Sequence, residues 1–280
     1  MLKKKNGRIE LVFKRLQSRG HKAFIPFITG GFPDWEKFKE LFLMLDRCGA
    51  DIIEIGVPFS DPLADGPVVQ DASMIALKNK VNADQIFQCI RELRARSRTP
   101  IALMTYFNIV YGYGLQNFLS AARHAGVDGM IIPDLPLEEF YGYKKIFRDG
   151  GIDNIMLVSL NSDTERMNRI AKECSGFLYC VSVKGVTGVK NQLDAGIIGM
   201  LQRLKKMTAL PLCPGFGISE IKQIEALKEY ADGMIIGSKL LSMILECSDF
   251  KAGLKKVEDF VKKADKVLKR DEYKNMKKRP

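Results

Sequence analysis

Histidine and tryptophan are nearly missing from this chain, with two His and one Trp in 280 residues. His21 precedes the first apolar run and His124 falls in a helical stretch, so both read as structural or surface groups. Proton transfer is thereby left to carboxylates, tyrosines and lysines. Cysteine is equally uninformative as a metal binder. Cys48, Cys89, Cys174, Cys180, Cys213 and Cys247 include no C-x-x-C pair and no paired histidine, which argues against zinc or any other metal site. Scattered through apolar segments such as 177–181, they fit reduced core residues of a cytoplasmic protein. No apolar run approaches the roughly 18 residues that span a bilayer. Lys3-Lys4-Lys5 leads into mixed polar sequence rather than the apolar core of a secretory leader. A G-x-G-x-x-G after the first strand-like run is also absent, which argues against a dinucleotide-binding fold.

Positive charge is abundant, with a formal net charge of +11. Much of it lies in 255–280, which carries Lys255, Lys256, Lys262, Lys263, Lys266, Lys269, Arg270, Lys274, Lys277, Lys278 and Arg279. Nucleic acid is one conceivable partner for such a stretch. Aromatic residues do not interleave with the lysines as a single-strand binder requires, so the preferred reading is a solvated helix face and a frayed tail. Neither nucleic acid nor membrane is an expected partner.

Short apolar, β-branched runs recur at 22–28, 51–55, 100–104, 128–132, 153–158, 177–181, 211–215 and 232–236. They are continuous rather than alternating, the pattern of a parallel sheet covered on both faces. Helical spacing fills the intervals. Trp35, Phe38, Leu41, Phe42 and Leu45 form one apolar stripe with Asp34 placed to cap it, and Ser162 with Glu165 and Asn82 with Gln85 make capping boxes. Three strand entries resemble one another: Gly49-Ala-Asp-Ile-Ile-Glu, Gly126-Val-Asp-Gly-Met-Ile and Tyr230-Ala-Asp-Gly-Met-Ile. Eight repeated βα units predict an α/β fold, a single (β/α)8 TIM barrel, with extra helices at 7–18, 66–79 and 250–268. No Pro/Gly/Ser-rich linker divides it, so 1–268 is expected to be one domain, followed by a basic tail over 269–280.

In a barrel, chemistry belongs at the C-terminal ends of the strands. Glu54 lies inside such an end, in Asp51-Ile-Ile-Glu-Ile-Gly, where burial raises a carboxyl pKa and suits it to acid–base work. The plainer alternative, a glutamate neutralised by a buried Arg or Lys, has no such partner nearby in sequence. The following loop holds three prolines, at 58, 62 and 67, and presents Asp61 and Asp65. They either cap turns or divide labour with Glu54, one group moving protons while another stabilises positive charge. Gly215-Phe-Gly-Ile-Ser and Gly237-Ser238 follow the last two strands, where backbone amides and helix N-termini bind phosphate. Val183-Lys-Gly-Val-Thr-Gly forms either a closing lid or a long surface loop.

These residues carry a resemblance. Glu54-Ile-Gly-Val-Pro-Phe-Ser-Asp-Pro-Leu-Ala-Asp-Gly-Pro closely resembles the signature segment of tryptophan synthase alpha subunits. Gln70-Asp-Ala-Ser, Pro26-Phe-Ile-Thr, Pro133-Asp-Leu-Pro-Leu-Glu-Glu, Gly185-Val-Thr-Gly, Gly215-Phe-Gly-Ile-Ser and Gly237-Ser are also family-like, in order over about residues 20–245. The resemblance implies a lyase of tryptophan biosynthesis. Its reaction is the reverse-aldol cleavage of indole-3-glycerol phosphate to indole and glyceraldehyde 3-phosphate, without a cofactor in this chain. It implies that Glu54 moves the protons, that Asp65 stabilises the cationic indolenine, and that Tyr179 belongs to the site. Gly188, Gly217, Gly237 and Ser238 would contact the phosphate, with Thr187 in the lid. Phe27, Met104, Tyr106 and Phe216 would line the indole pocket. It implies a partner, a pyridoxal-phosphate beta subunit that receives indole in an alpha2beta2 complex, touched by Pro58, Asp61, Asn108 and Asp134.

One position departs from the pattern: Lys239 stands where the family usually has a small residue. A Schiff-base aldolase using Lys184, or a barrel that only binds, are the competing readings. The glycine-rich setting of Lys184 and the retention of Glu54 and Asp65 argue against them.

Overall fold

The computed structural model describes residues 7–181, 195–215 and 217–269. The chain opens with α1 (Arg8–Gln17), β1 (Ala23–Thr29), α2 (Trp35–Arg47), β2 (Ile53–Gly56), α3 (Pro67–Lys78), α4 (Ala83–Arg94) and β3 (Ile101–Met104). It continues through α5 (Phe107–Tyr113), α6 (Leu115–Ala125), β4 (Gly129–Ile131), α7 (Leu137–Gly150), β5 (Asp153–Ile155), β6 (Leu157–Ser159) and α8 (Thr164–Glu173). The last part comprises β7 (Leu178–Val181), α9 (Ala195–Met207), β8 (Leu212–Gly215), α10 (Ile221–Leu227), β9 (Gly233–Ile236), α11 (Ser238–Leu245) and α12 (Phe250–Leu268).

All the pairings are parallel, in the orders β5-β4-β3-β2-β1-β9 and β6-β7-β8. β5 and β6 are halves of one barrel strand. The strand pairs backward with β4 up to Ile155, and from Met156, whose carbonyl accepts from Tyr179 N–H at 3.0 Å, it pairs forward with β7. The remaining seam, β8 to β9, is bridged by Asp232 N–H donating to Leu212 C=O at 2.8 Å. Eight strands thus form the TIM barrel expected from the apolar runs; α1, α3 and α12 are the expected extra helices, and α5, between β3 and α6, is a fourth that the sequence reading did not separate.

The resemblance among the three strand entries has a physical cause. Asp51 donates its N–H to Phe24 C=O at 2.9 Å, and its carboxylate accepts from Phe24 N–H at 3.0 Å. Asp128 clasps Ile101 in the same two-bond fashion (2.9 and 2.8 Å), and Asp232 clasps Leu212 (2.8 and 2.9 Å). Each aspartate ties the start of its strand to the preceding strand, at the end of the barrel opposite the catalytic rim. Each also carries cations: Arg94 and Arg8 on Asp128, Lys205 on Asp232, and Lys269 and Arg15 on Asp51. Lys269 additionally donates to Gly49 C=O at 3.0 Å, so the residue that opens the expected tail is tied to the barrel.

Arg94 is the most deeply used of these cations. It donates to Gly126 C=O at 2.7 and 3.0 Å as well as to Asp128 at 2.8 Å. Removing one partner of a buried pair leaves uncompensated charge and unmet carbonyls, which costs about 3–5 kcal/mol. Since Arg8 still serves Asp128, Arg94→Ala is expected to lose roughly 3 kcal/mol, the lower end of that range. Urea denaturation checks it, and a loss below about 1 kcal/mol, the level of an exposed pair, would contradict the buried role.

Helix starts follow local chemistry. Asp34 caps α2 by accepting from Lys37 N–H at 2.9 Å, and Asn82 with Gln85 completes the capping box of α4. The cap of α8 differs from expectation. Asp163, not Ser162, accepts from Arg166 N–H, at 2.7 Å, while Ser162 Oγ turns back to Ser159 N–H. In α12, Val257, Phe260, Val261 and Leu268 are buried against the barrel, each worth about 1.5–3 kcal/mol of apolar burial. Cys89, Cys174, Cys180 and Cys213 are buried core residues, whereas Cys48 and Cys247 are only half-buried. Among the described residues no helix is long and apolar enough to cross a membrane.

Candidate active site

Glu54 is the second residue of β2, in register with Phe27 of β1 and Ala102 of β3. It is fully buried, and neither carboxyl oxygen has a hydrogen-bond partner among the described residues. Buried polar groups are ordinarily paired, so this one holds its proton instead. Burial, and secondarily the charge of Asp65, pushes its pKa up to about 8.

Asp65 lies in the loop between β2 and α3. Burial pushes its carboxyl up to about 6, against the lowering effect of a hydrogen bond from the Tyr106 hydroxyl. Two neighbouring carboxyls therefore separate at neutral pH into an acid, Glu54, and an anion, Asp65. Tyr106 also fixes the loop. Its ring stacks on Phe59 with centroids 5.0 Å apart, and its hydroxyl accepts from Ala64 N–H at 3.1 Å. Gln70 Nε2 holds the far end by donating to Asp65 C=O at 2.9 Å. Tyr179 of β7 is buried, and burial followed by the charges of Glu54 and Asp65 raises its pKa well above the usual tyrosine value. It faces both carboxyls as a neutral phenol.

Two rings occupy space that only glycine leaves open. A Cβ on Gly215 would lie 2.6 Å from Tyr179 Cε1, and one on Gly56 would lie 2.6 Å from Phe27 Cζ. A Cβ on Gly237 would sit 2.9 Å from Phe27 Cβ. The rings of Phe27 and Tyr179 are thus set by the glycines at the ends of β2, β8 and β9.

One cavity collects most of the expected site. Phe27, Met104, Tyr179, Asp65, Gly217, Gly237 and Ser238 all line it. Ser238 opens α11 behind Gly237, so free amides and the positive helix end face this cavity. Glu54 and Tyr106 sit just behind the wall. Ile218 and Ser219 of the expected glycine turn line the cavity too, as do Val69 and Ile235, which were not anticipated. Ile235 had no signal to give, because every residue of β9 is buried and no alternation marks the inward ones. Gly188, Thr187, Phe216 and Lys184 lie outside the described residues. Asp61, Asn108 and Asp134 are exposed, whereas Pro58 is buried, and Asp134 accepts from Phe107 N–H at 2.8 Å at the start of α5.

The family model described as tryptophan synthase alpha chain matches residues 13–269. The chain belongs to the tryptophan synthase alpha chain family. The alpha chain of Petrotoga mobilis is 43% identical over 257 residues, covering 91% of this chain and 98% of the relative. That of Arabidopsis thaliana is 38% identical over 257 residues, covering 91% and 94%. Among solved structures, the alpha chain of Legionella pneumophila subsp. pneumophila superposes with a TM-score of 0.87 at 32% identity, covering 96% of this chain and 100% of that one. Tryptophan synthase from M. tuberculosis in ligand-free form gives 0.84 at 27% identity, covering 94% and 100%. The family's reaction is the cleavage of indole-3-glycerol phosphate, and the family name marks its members as one chain of a larger enzyme. In an alpha chain with this wall, Gly215→Ala must push the Tyr179 ring aside. Overpacking costs about 1–3 kcal/mol, and a displaced site group about tenfold or more in kcat/KM. Steady-state indole release checks this; unchanged kinetics would show that the ring position is immaterial.

Proposed function

We propose that Glu54, Asp65 and Tyr179 carry out the retro-aldol cleavage of indole-3-glycerol phosphate in this chain. The observation that carries the proposal is a fully buried, unpartnered Glu54 next to Asp65, whose raised pKa values make Glu54 the acid and Asp65 the anion, in a cavity also lined by Gly217, Gly237 and the N-terminus of α11. The phosphate binds at Gly217, Gly237 and Ser238, and the indole enters the apolar part bounded by Phe27 and Met104, with Tyr106 behind it. Protonated Glu54 delivers its proton to the indole ring carbon that bears the glycerol chain. The ring nitrogen becomes cationic, and Asp65 stabilises that charge through the indole N–H. Glu54, now a carboxylate, removes the proton of the adjacent glycerol hydroxyl. The carbon–carbon bond breaks, its electrons return to the ring, and the hydroxyl carbon becomes the aldehyde of glyceraldehyde 3-phosphate. Atoms and charges balance, and Glu54 ends protonated. Tyr179 closes the wall beside both carboxyls as a neutral phenol.

Burying the indole in an apolar slot while a remote phosphate anchors the substrate lets binding energy align the reacting carbon. No cofactor of this chain enters these steps. Gly188, Phe216 and Thr187 keep the phosphate, indole and lid roles that the resemblance implies. The acceptor of indole is a beta subunit in an alpha2beta2 complex, which would carry the pyridoxal phosphate. Asp61, Asn108 and Asp134 offer it an exposed surface, and Leu63 (93% exposed) and Tyr111 (69% exposed) add apolar area. Pro58 shapes the loop from beneath. Residues 1–268 act as one domain, 269–280 as its tail, and the enzyme works in the cytoplasm. Indole release from indole-3-glycerol phosphate tests the reading. Purified chain that releases none, with or without a beta subunit, overturns it.

A further inference from the structure

Among the described residues lining the cavity, Lys239 is the sole cation. It is the second residue of α11, at the end where the helix dipole is positive and the first amides lack intrahelical acceptors. A lysine is disfavoured there, and no acidic residue occupies the first turn to offset it. No side-chain hydrogen bond or ion pair engages its ammonium among the described residues, and the Ser242 Oγ that reaches this position donates to the Lys239 C=O, at 3.0 Å, not to the side chain. The carboxyls of the site do not neutralise it either. Glu54 is sealed behind the wall, and Asp65 is held by Tyr106. Lys239 thus combines three adverse features: a like-signed helix end, no counter-ion among the described residues, and partial burial on the cavity wall it shares with Gly217, Ser219, Gly237 and Ser238. A local violation that nothing among the described residues offsets is the mark of a group placed for a ligand. The ligand that relieves all three is an anion seated among those amides.

We propose that Lys239 is a specificity-determining residue of the phosphate subsite, its ammonium pairing with the dianionic phosphate of the substrate. This rests on the reading of the cavity as a phosphorylated-substrate site. The amides supply directional hydrogen bonds, and Lys239 supplies a full charge that the helix end alone lacks. Being on the rim and partly open to water, the pair is screened by salt.

The test uses the full-length chain and the variants Lys239→Ala, Lys239→Met and Lys239→Arg. Inorganic phosphate and indole serve separately as competitive inhibitors of indole release. Lys239→Ala and Lys239→Met are expected to raise the KM for indole-3-glycerol phosphate and the inhibition constant of phosphate roughly tenfold, the size of one charge-assisted contact. Turnover at saturation and inhibition by indole stay within about twofold, a few tenths of a kcal/mol. Lys239→Arg restores most of the phosphate affinity, and the neutral variants lose much of the salt dependence of KM. The ligand-free melting temperature of the neutral variants is unchanged or slightly higher, because an unfavourable helix–charge contact is gone. Unchanged phosphate inhibition in both neutral variants overturns the proposal, as does an equal loss of phosphate and indole binding. Failure of the wild-type chain to cleave the substrate would overturn the functional reading instead. Phosphate binding by that same chain, measured calorimetrically, still decides the role of Lys239.

Discussion

Glu54→Gln is expected to abolish indole release while making the fold more stable at high pH. Gln keeps the shape and can donate a hydrogen bond, but it can neither deliver a proton to the ring nor take one from the hydroxyl. Loss of a general acid–base group costs about 10²–10⁴-fold, and here the same side chain serves twice, so the upper end of that range is expected. The stability effect follows from burial. In the unfolded chain the carboxyl titrates at its ordinary value, 4.5, and in the folded protein at about 8. Between those values the folded state retains a proton that the unfolded state releases. The stabilising contribution is therefore complete below pH 4.5 and is lost progressively as pH rises to about 8. At about 1.4 kcal/mol for each pH unit, the loss is on the order of several kcal/mol. Gln does not titrate, so the variant gains on wild type across this window. Urea denaturation at both ends of the window, with an indole assay, checks both halves. An active variant sinks the proton-transfer role, and a pH-independent stability difference sinks the buried acid.

Asp65→Asn is expected to reduce kcat/KM by roughly 10²–10³-fold, the cost of one preorganised electrostatic stabiliser of transition-state charge. Its more distinctive effect is on the pH profile. Activity requires Asp65 ionised and Glu54 protonated, a combination present between about pH 6 and pH 8. The wild-type profile of kcat/KM should be a bell between these limits. Asn cannot ionise, so the acid limb disappears while the alkaline limb, set by Glu54, remains. Retention of the acid limb in the variant would assign it to another group. The loop itself should survive, since Gln70 grips the Asp65 carbonyl and Tyr106 also grips Ala64 N–H.

The two carboxyls illustrate how far the linear chain can be read. Glu54 stands out because a charge inside an apolar strand is costly wherever the strand packs, and that cost is local. Asp65 is marked only as a loop acid, and its identical neighbour in type, Asp61, carries the same signals. The fold separates them: Asp65 is turned inward against Tyr106, which is far away in sequence, while Asp61 stays exposed. The same distance hid the purpose of the repeated aspartates at 51, 128 and 232, whose partners are amides on the preceding strands. At the start of α8, Ser162 and Asp163 are both acceptable caps. Where the backbone turns into the helix selects Asp163.

The sequence by itself determined the eight strands, three of the four extra helices, the acid at Glu54 and the glycine turns of the rim. Each follows from burial periodicity, backbone freedom or the cost of a buried charge, properties carried by a residue and its near neighbours. Only the tertiary structure decided which carboxyl would stay ionised, which glycines make room for the rings of Phe27 and Tyr179, and that Lys239 lines the cavity with no counter-ion among the described residues. Those are matters of distance and desolvation between side chains from different strands, and they come into being only when the barrel closes.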